Sequence, residues 1–292
     1  MVTIEKLLKD AVKIIRQREF NNPLLDGELI LSYLLQEDRI YLHLNRKKQV
    51  SKELAKEFYN LIEKRNDGYP LQYITKSQEF MGLTFYIEEG VLVPRPDTET
   101  LVEKVIKIAN EKFSNKEIKI LDIGTGSGAI GVSLAYYLKN SMVRAIDISS
   151  LAVEIANINA KKYNLSNINI VKGNIFQDIF ENEKYHIVVS NPPYIEREEI
   201  SSLQAEVSTF EPKLALDGGV DGLEYYRRIA EVFTKIYERE GVLSVEIGNK
   251  QKEAVEKIFT KTGLFSKIET DKDLSGNNRV ITAYVNSELV PT

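Results

Sequence analysis

Apolar positions repeat with different spacings in different parts of the 292-residue chain. Between residues 3 and 65 they recur three, four and seven positions apart, the spacing of amphipathic helices. We predict three helices here, with a break at Asn21-Asn22-Pro23 and with Ser51 as the N-cap of the third. Nothing in this part is typical of a strand. From Phe80 to Val93 the apolar residues are interrupted by two glycines, which predicts a short hairpin.

From residue 118 onward, short apolar runs alternate with segments of helical spacing. This alternation favours a mostly parallel sheet with helices on both faces. Strands are predicted at Ile118–Ile123, Met142–Ile146, Ile168–Val171, His186–Val189, Val242–Ile247 and twice near the C-terminal end. Helices are predicted at about 97–110, Ala129–Leu138, Leu151–Tyr163, and near 222–238 and 250–261. The segment 196–221 shows little pattern, and so long a loop in a compact domain is more often functional than idle.

Composition narrows the class of protein. The length allows about two domains, and 43% hydrophobic residues are enough for a sizeable core. The chain has no cysteine and only two histidines, His43 and His186, so we expect no metal site and no serine–histidine triad. The first residues resemble no secretory signal and no apolar run reaches the roughly 20 residues of a membrane span, so a cytoplasmic protein without membrane contact is expected.

Charge is unevenly distributed along the chain. The net charge is −4, with +2 over residues 1–75 and −6 over the remaining residues. The triplet Arg46-Lys47-Lys48 is interpreted as a solvated loop, with a phosphate contact as the alternative. Because the larger segment is negative, direct binding of nucleic acid is not expected.

A glycine-rich loop follows the first predicted strand of the alternating region. It runs Asp122-Ile-Gly124-Thr125-Gly126-Ser127-Gly128 and opens a helix, so its backbone can bend sharply and present free N–H groups to a ligand. A dinucleotide or S-adenosylmethionine fits this pattern, and Asp147 would bind ribose hydroxyls in either case. The Asp122 carboxylate favours S-adenosylmethionine, since it suits an amino group and would repel a pyrophosphate. The alternative is a purely structural role, as a tight turn that binds no ligand.

The segment Asn191-Pro192-Pro193-Tyr194 follows the apolar run 186–190 and indicates the kind of chemical group on which the protein acts. A planar amide or aromatic amine is a weak nucleophile with two N–H donors. The Asn191 side-chain oxygen can accept one of these N–H donors and the Pro192 carbonyl the other. The prolines fix φ, so that the direction of the carbonyls does not change. Tyr194 offers a face on which a flat group can stack. Catalysis by positioning and fixed dipoles is therefore predicted; a rigid turn is the alternative.

Further segments make the chain resemble the release-factor glutamine methyltransferases, the PrmC/HemK family, over nearly its whole length. The most specific is Val93-Pro-Arg-Pro-Asp-Thr-Glu99; others are Pro70-Leu-Gln-Tyr-Ile74, Gln78-Glu-Phe80-Met-Gly-Leu83, Phe210-Glu-Pro212, Ala215-Leu216, Gly218-Gly219, Asp221-Gly222-Leu223, Glu246-Ile-Gly248 and Asp273-Leu-Ser-Gly276 with Arg279. The sequence departs from the family at Lys76, where glycine is usual, and at Asn174-Ile175, where many members carry Asp and an aromatic residue.

The resemblance implies a Rossmann-like α/β fold with a seven-stranded, mostly parallel sheet and a small helical N-terminal domain. It implies domains at 1–75, which would bind the release factor, and 96–292, which would be catalytic, with a hairpin linker at 76–95. It further implies methylation by S-adenosylmethionine of the glutamine in the Gly-Gly-Gln motif of peptide chain release factors; a monomer is expected. Gly124–Gly128 and Asp147 would bind the cofactor, Asn174 and Ile175 would border adenine, and Asn191–Tyr194 would hold the glutamine.

The segment Arg95, Asp97, Thr98 and Glu99 has two interpretations of equal weight. It is either a helix entry capped by Asp97 or a helix start that faces the cofactor's carboxylate or closes the site. Three rival functions stay open: an adenine N6-methyltransferase acting on nucleic acid, which shares Asn-Pro-Pro-Tyr; a nicotinamide oxidoreductase; and a non-catalytic adaptor. The negative charge of residues 76–292 argues against the first.

Overall fold

The computed structural model describes residues 2–18, 21–114, 116–177, 180 and 183–286. It divides into two compact units. The first, here called the helical unit, comprises Met1–Ser77 together with Gln204–Phe210, and the second, the sheet unit, comprises Gln78–Leu203 and Glu211–Thr292. The first therefore ends two residues beyond the predicted boundary and includes a segment from far along the chain, while most of the predicted linker belongs to the second.

Within its described residues up to Ser77, the helical unit has five helices around one apolar cluster. They are α1 (Ile4–Ile14), α2 (Pro23–Leu35), α3 (Arg39–Leu44), α4 (Lys52–Asn66) and α5 (Leu71–Thr75). Ser51 caps α4 as predicted, since its side chain accepts a hydrogen bond from the Leu54 amide at 3.1 Å. The core contains Leu7, Ile30, Phe58 and Ile62, all fully buried. The three predicted helices are thus confirmed, and α3 and α5 are too short to give a periodic signal.

The expectation that this part holds no strand was wrong. Strands β1 (Val2–Thr3) and β2 (Gln49–Val50) pair antiparallel, with Val2 opposite Val50. Two residues are too few for alternation to show in the sequence, and the partners lie almost fifty positions apart. Lys76, the departure from the family pattern, ends α5 with φ of 56°, a left-handed conformation that favours glycine.

The sheet unit begins with a hairpin of β3 (Ser77–Phe80) and β4 (Leu83–Tyr86). Its two turn residues, Met81 and Gly82, both have positive φ, as a two-residue hairpin turn requires. The hairpin was predicted, although its strands begin earlier and end earlier than the apolar run suggested.

Seven strands form the main sheet, in the order β10-β11-β9-β8-β5-β6-β7. β11 runs antiparallel to the other six strands. This confirms the predicted mostly parallel, Rossmann-like sheet. The strands are β5 (Ile118–Ile123), β6 (Ser141–Asp147), β7 (Ile168–Lys172), β8 (Tyr185–Ser190), β9 (Tyr237–Glu246), β10 (Phe265–Lys272) and β11 (Asn278–Val285). The helices are α6 (Glu99–Lys112), α7 (Ala129–Tyr137), α8 (Ser150–Lys162), α9 (Ala205–Phe210, in the helical unit), α10 (Glu224–Ile236) and α11 (Lys252–Thr260).

The segment 196–221 is not a featureless loop. It contains α9 and two short 3₁₀ helices, Arg197–Ser202 and Lys213–Ala215. Turns this short carry no periodic signal, so they stayed invisible in the sequence. Among the described helices, none is both long and apolar enough to span a bilayer.

A buried ion cluster holds α9 within the helical unit. Arg65, which is 3% exposed, donates from Nε to Asp26 at 2.7 Å and from Nη1 to Glu206 at 3.0 Å. The ring of Phe210 packs edge-on against Tyr69, with 5.3 Å between centroids. The Arg65 guanidinium is therefore shared between two carboxylates that come from distant parts of the chain.

Arg65→Ala should lower the free energy of unfolding by about 3–5 kcal/mol, because it leaves the buried Asp26 carboxylate without its partner. Urea unfolding followed by circular dichroism measures the change. Lys6→Ala is the control, since Lys6 pairs with Asp10 at 2.6 Å but is 58% exposed and should cost less than about 1 kcal/mol. Equal effects of the two substitutions would contradict the assignment.

Candidate active site

The site lies where the strand order reverses. The chain runs from β5 outward through β6 to β7 and then returns to β8 on the other side of β5. The carboxyl ends of β5 and β8 are therefore adjacent, with Ile123 opposite Ser190, and the Ser190 hydroxyl donates to the Ile123 carbonyl at 2.7 Å. In parallel sheets this is the position of ligand sites. A cavity of about 260 Å³ opens here, and the described residues that line it belong to the sheet unit.

The glycine-rich loop forms one wall of the cavity. Gly124 and Gly126 have φ of 74° and 57°, and a Cβ at either position would meet no atom within 4 Å. Their backbone therefore faces open space, as a loop that receives a ligand closely must. Thr125 and Ser127 also line the cavity. Gly128 does not; it packs where a Cβ would lie 3.0 Å from Ala156.

Asp147 at the end of β6 also lines the cavity. Its Oδ2 accepts from the Gly126 amide and its Oδ1 from the Ser149 amide, both at 2.9 Å. Burial raises the pKa of this carboxyl, although the backbone amides lower it. Asp147 thus ties the glycine-rich loop to β6.

Asp122 lies beneath the loop instead of on the cavity wall. It is fully buried, and its Oδ2 accepts from the Thr125 hydroxyl at 2.6 Å and from the Gly131 amide at 2.9 Å. Its Oδ1 has no hydrogen-bond partner among the described residues. Burial raises the pKa of Asp122 to about 7 despite these two bonds. The geometry makes Asp122 an anchor of the loop and of the start of α7.

Residues that follow β7 also line the cavity. Asn174 and Ile175 line it, and the Asn174 side chain accepts from the Phe176 amide at 2.9 Å. Phe176 is 44% exposed and packs edge-on against Tyr225, with 5.4 Å between ring centroids. Sequence reasoning missed both rings, although an aromatic residue directly after Ile175 was the available signal.

The Asn191–Tyr194 segment forms the wall opposite the glycine-rich loop. Asn191, Pro192 and Pro193 line the cavity, whereas the Tyr194 hydroxyl points away to Glu246, to which it donates at 3.3 Å. The Tyr194 carbonyl accepts from the Gln251 side chain at 2.9 Å. Gly222, with φ of 66°, passes so close that a Cβ would lie 2.5 Å from the same carbonyl. The backbone of the segment is therefore held from behind.

A hydrogen-bonded chain fixes the Asn191 side chain. Asn191 Nδ2 donates to the Thr98 hydroxyl at 3.2 Å, and the Thr98 hydroxyl lies 2.6 Å from Glu246 Oε2. Glu246 is 2% exposed, and burial raises its pKa to about 7. Glu246 was noted in the sequence only as part of the family pattern, since no local pattern links it to Asn191.

Some residues of the 95–99 segment line the cavity, and the others bind residues outside it. Arg95 lines the cavity with Thr98, and its Nη2 donates to both oxygens of the buried Glu211 at 2.7 Å. Asp97 pairs with Arg279 at 3.0 Å, and Glu99 accepts from the Met81 amide at 2.6 Å. The predicted Asp97 cap was wrong, because no side chain caps this helix start and Arg279, distant in sequence, takes the carboxylate.

Several apolar lining residues carried no chemical motif and were missed; they are Val91, Leu92, Ile148, Leu214 and Ala215. Over the described ranges, no three His, Cys, Asp or Glu side chains are grouped so that they could hold a metal ion.

Known proteins match both units of the chain. The family model of the PrmC N-terminal domain matches residues 6–75, and that of the methyltransferase small domain matches residues 98–211. A methyltransferase from Pyrococcus furiosus has a similar fold, with a TM-score of 0.50 and 20% identity over 80% of this chain and 98% of that one. The open glycine-rich backbone and Asp147 suit S-adenosylmethionine. The protein is an S-adenosylmethionine-dependent methyltransferase.

Two relatives match over nearly the full chain. The release factor glutamine methyltransferase of Clostridium acetobutylicum is 40% identical over 96% of this chain and 98% of its own. That of Fusobacterium nucleatum is 37% identical over 95% of this chain and 77% of its own. The chain belongs to the family of release factor glutamine methyltransferases.

Asp147→Ala should weaken binding of S-adenosylhomocysteine by roughly 1–3 kcal/mol, because it removes a buried acceptor and frees the Gly126 amide. Isothermal titration calorimetry measures the affinity. Asp67→Ala, at an exposed carboxylate of the helical unit, is the control and should leave the affinity unchanged. An Asp147→Ala affinity equal to that of the control would remove Asp147 from the cofactor site.

Proposed function

We propose that the chain transfers a methyl group from S-adenosylmethionine to the side-chain N5 of the glutamine in the Gly-Gly-Gln motif of peptide chain release factors. The observation that carries this proposal is the orientation of Asn191 in the cavity wall. Its Nδ2 is engaged by Thr98, which leaves Oδ1 as an acceptor for an amide N–H. The names of the relatives support the choice of substrate.

The cofactor would lie between the two loops. Gly124, Thr125, Gly126 and Ser127 would contact its methionine portion, Asp147 its ribose, and Asn174 and Ile175 its adenine, with Phe176 beside them. When bound, S-adenosylmethionine supplies an electrophilic methyl group on a positively charged sulfur. Asp122 would act indirectly, since its carboxylate shapes the loop from below.

The protein's contribution is to position a poor nucleophile. Asn191 Oδ1 and the Pro192 carbonyl would accept the two N–H bonds of the glutamine amide, so its nitrogen is held with the lone pair toward the methyl group. Tyr194, whose hydroxyl is bound to Glu246 and whose carbonyl is bound by Gln251, would hold this segment in place from behind the cavity wall. Held in this way, the amide nitrogen would bond to the methyl group, and the cofactor's sulfur would leave with the electrons of its bond to that methyl. The nitrogen then becomes acidic and loses a proton to water, so no general base is needed.

Asn191→Ala should lower kcat by roughly 10²–10³-fold, as for the loss of one preorganised hydrogen-bonding group, while affinity for S-adenosylhomocysteine changes much less. Single-turnover transfer of labelled methyl to a purified release factor measures the rate. Asn191→Asp keeps the shape but places a negative charge near the sulfonium, which stabilises the ground state, so it should be severely impaired too.

The substrate is tested in the same assay with separate pools of release factor, DNA and RNA. Label should appear on the factor alone and disappear when the Gly-Gly-Gln glutamine is replaced. Label on nucleic acid, label on a factor lacking that glutamine, or a near wild-type rate for Asn191→Ala would each refute the proposed function.

We further propose that the helical unit binds the body of the release factor. Helix α3 presents Ile40 and Leu44, which are 67% and 80% exposed and lie four positions apart, so they share a helix face. The basic residues 46–48 follow directly. Deleting residues 1–75 would be a poor test, because α9 would lose the packing of Glu206 and Phe210.

The double substitution Ile40→Ser with Leu44→Ser should instead raise KM for the whole release factor by about 10-fold or more, the scale for losing two apolar contacts in an interface. Its kcat should be unchanged, and methylation of a short peptide carrying Gly-Gly-Gln should not respond. Steady-state kinetics on both substrates provide the comparison. An unchanged KM for the whole factor would exclude this face of α3.

A further inference from the structure

Asn191 can act as described only if its amide group has one orientation. The oxygen and the nitrogen of an asparagine amide have nearly the same shape, so turning the group by 180° would aim two N–H donors at the substrate amide. Packing alone distinguishes the two orientations poorly, and hydrogen bonding must therefore decide between them.

The decision is made outside the Asn191–Tyr194 segment. Thr98 has a single hydroxyl hydrogen, and Glu246 Oε2, at 2.6 Å, is an acceptor when the carboxyl is ionised. The hydrogen is used in that bond, so Thr98 turns a lone pair toward Asn191. Only the amide nitrogen can then face Thr98, and it lies at 3.2 Å.

We propose that Thr98 and Glu246 are positioning residues that set the orientation of the Asn191 amide, so that its oxygen is directed to the substrate. This inference rests on the proposed function and adds two residues to it. Glu246 lies at the end of β9 and Thr98 directly before α6, so the pair links two elements to the loop after β8.

Glu246 is itself held in place from several sides. The Tyr194 hydroxyl donates to its Oε1 at 3.3 Å, and the Tyr226 hydroxyl donates to its backbone carbonyl at 2.9 Å. Arg279 on β11 stabilises its charge, whereas Asp97, which pairs with Arg279, opposes it. Asp273 shares Arg279 at 3.0 Å, so that guanidinium is divided between carboxylates.

In this arrangement the orientation of the Asn191 amide depends on whether the Glu246 carboxyl is protonated. Below a pH of about 7 the carboxyl holds a proton, because burial raises its pKa to that value. A protonated Glu246 can donate to Thr98, which frees the Thr98 hydrogen to face Asn191 and permits the turned amide. The rate kcat should therefore fall as pH falls through about 7.

Thr98→Val, which keeps the shape and removes the hydroxyl, should lower kcat by up to about 100-fold, the scale for a misplaced reacting group. Thr98→Ser should restore most of the rate. Affinity of both variants for S-adenosylhomocysteine should stay near wild type, which separates positioning from cofactor binding. Thr98→Ser should also keep the wild-type melting temperature, whereas Thr98→Val should lower it, because the buried Glu246 carboxyl loses a hydroxyl donor. A double substitution with Asn191→Ala separates positioning from this loss of stability.

A double substitution distinguishes this inference from the proposed function itself. In an Asn191→Ala background, Thr98→Val should cause no further loss, since the group that it positions is gone. If Asn191→Ala is impaired but Thr98→Val turns over normally, or Thr98→Ser is as slow as Thr98→Val, or the two losses multiply, the positioning role is refuted and the role of Asn191 stands. A normal rate for Asn191→Ala refutes both.

Glu246→Gln tests the proton dependence, because the glutamine side chain does not titrate and its hydrogen bond with Thr98 is the same at every pH. Its kcat should lose the decline through pH 7 that wild type shows. Asp122 titrates in the same range but is present in both proteins, so the comparison isolates Glu246. A decline that persists unchanged in Glu246→Gln would overturn the proton dependence.

Discussion

The parallel pairing of β5 with β8 is the constraint on which the site depends. Because the two strands run in the same direction and Ile123 lies opposite Ser190, the chain leaves both strands at one edge of the sheet. The glycine-rich loop and the Asn191–Tyr194 segment, about 65 residues apart in sequence, therefore face each other across one cavity. The buried hydrogen bond from the Ser190 hydroxyl to the Ile123 carbonyl joins the ends of the two strands at that edge.

Around this edge the protein places its buried charges behind the cavity walls. Asp122 lies under the glycine-rich loop, and Glu246 lies behind Thr98 and Tyr194. Both carboxyls have pKa values raised to about 7 by burial, and each is held by hydroxyl donors. In such positions a carboxyl orients the groups that line the cavity without lining it itself, whereas the Asp147 carboxylate and Arg95 belong to the wall.

The two units differ in how their parts are held together. The sheet unit has a continuous apolar core that includes Val188, Tyr226, Phe233 and Leu243, all fully buried. The helical unit relies additionally on the Arg65 ion cluster, which brings in α9 from the segment after the Asn191–Tyr194 loop. Glu211, the residue that follows α9, is bound by Arg95 in the sheet unit. The stretch from Glu206 to Glu211 thus contains one carboxylate that is bound by an arginine of the helical unit and one that is bound by an arginine of the sheet unit.

Local patterns in the sequence determined the alternation of strands and helices, the Ser51 cap, the glycine-rich loop and the Asn-Pro-Pro-Tyr segment. Each of these arises from neighbouring residues, whose period, φ preference or side-chain reach is set within a few positions. The partners of Asp97, Asn191 and Arg65 were decided only by tertiary structure. Arg279, Thr98 and Glu206 reach them from other elements, with Glu246 behind Thr98, and no local rule specifies which distant charge or hydroxyl a folded chain will bring within hydrogen-bond distance.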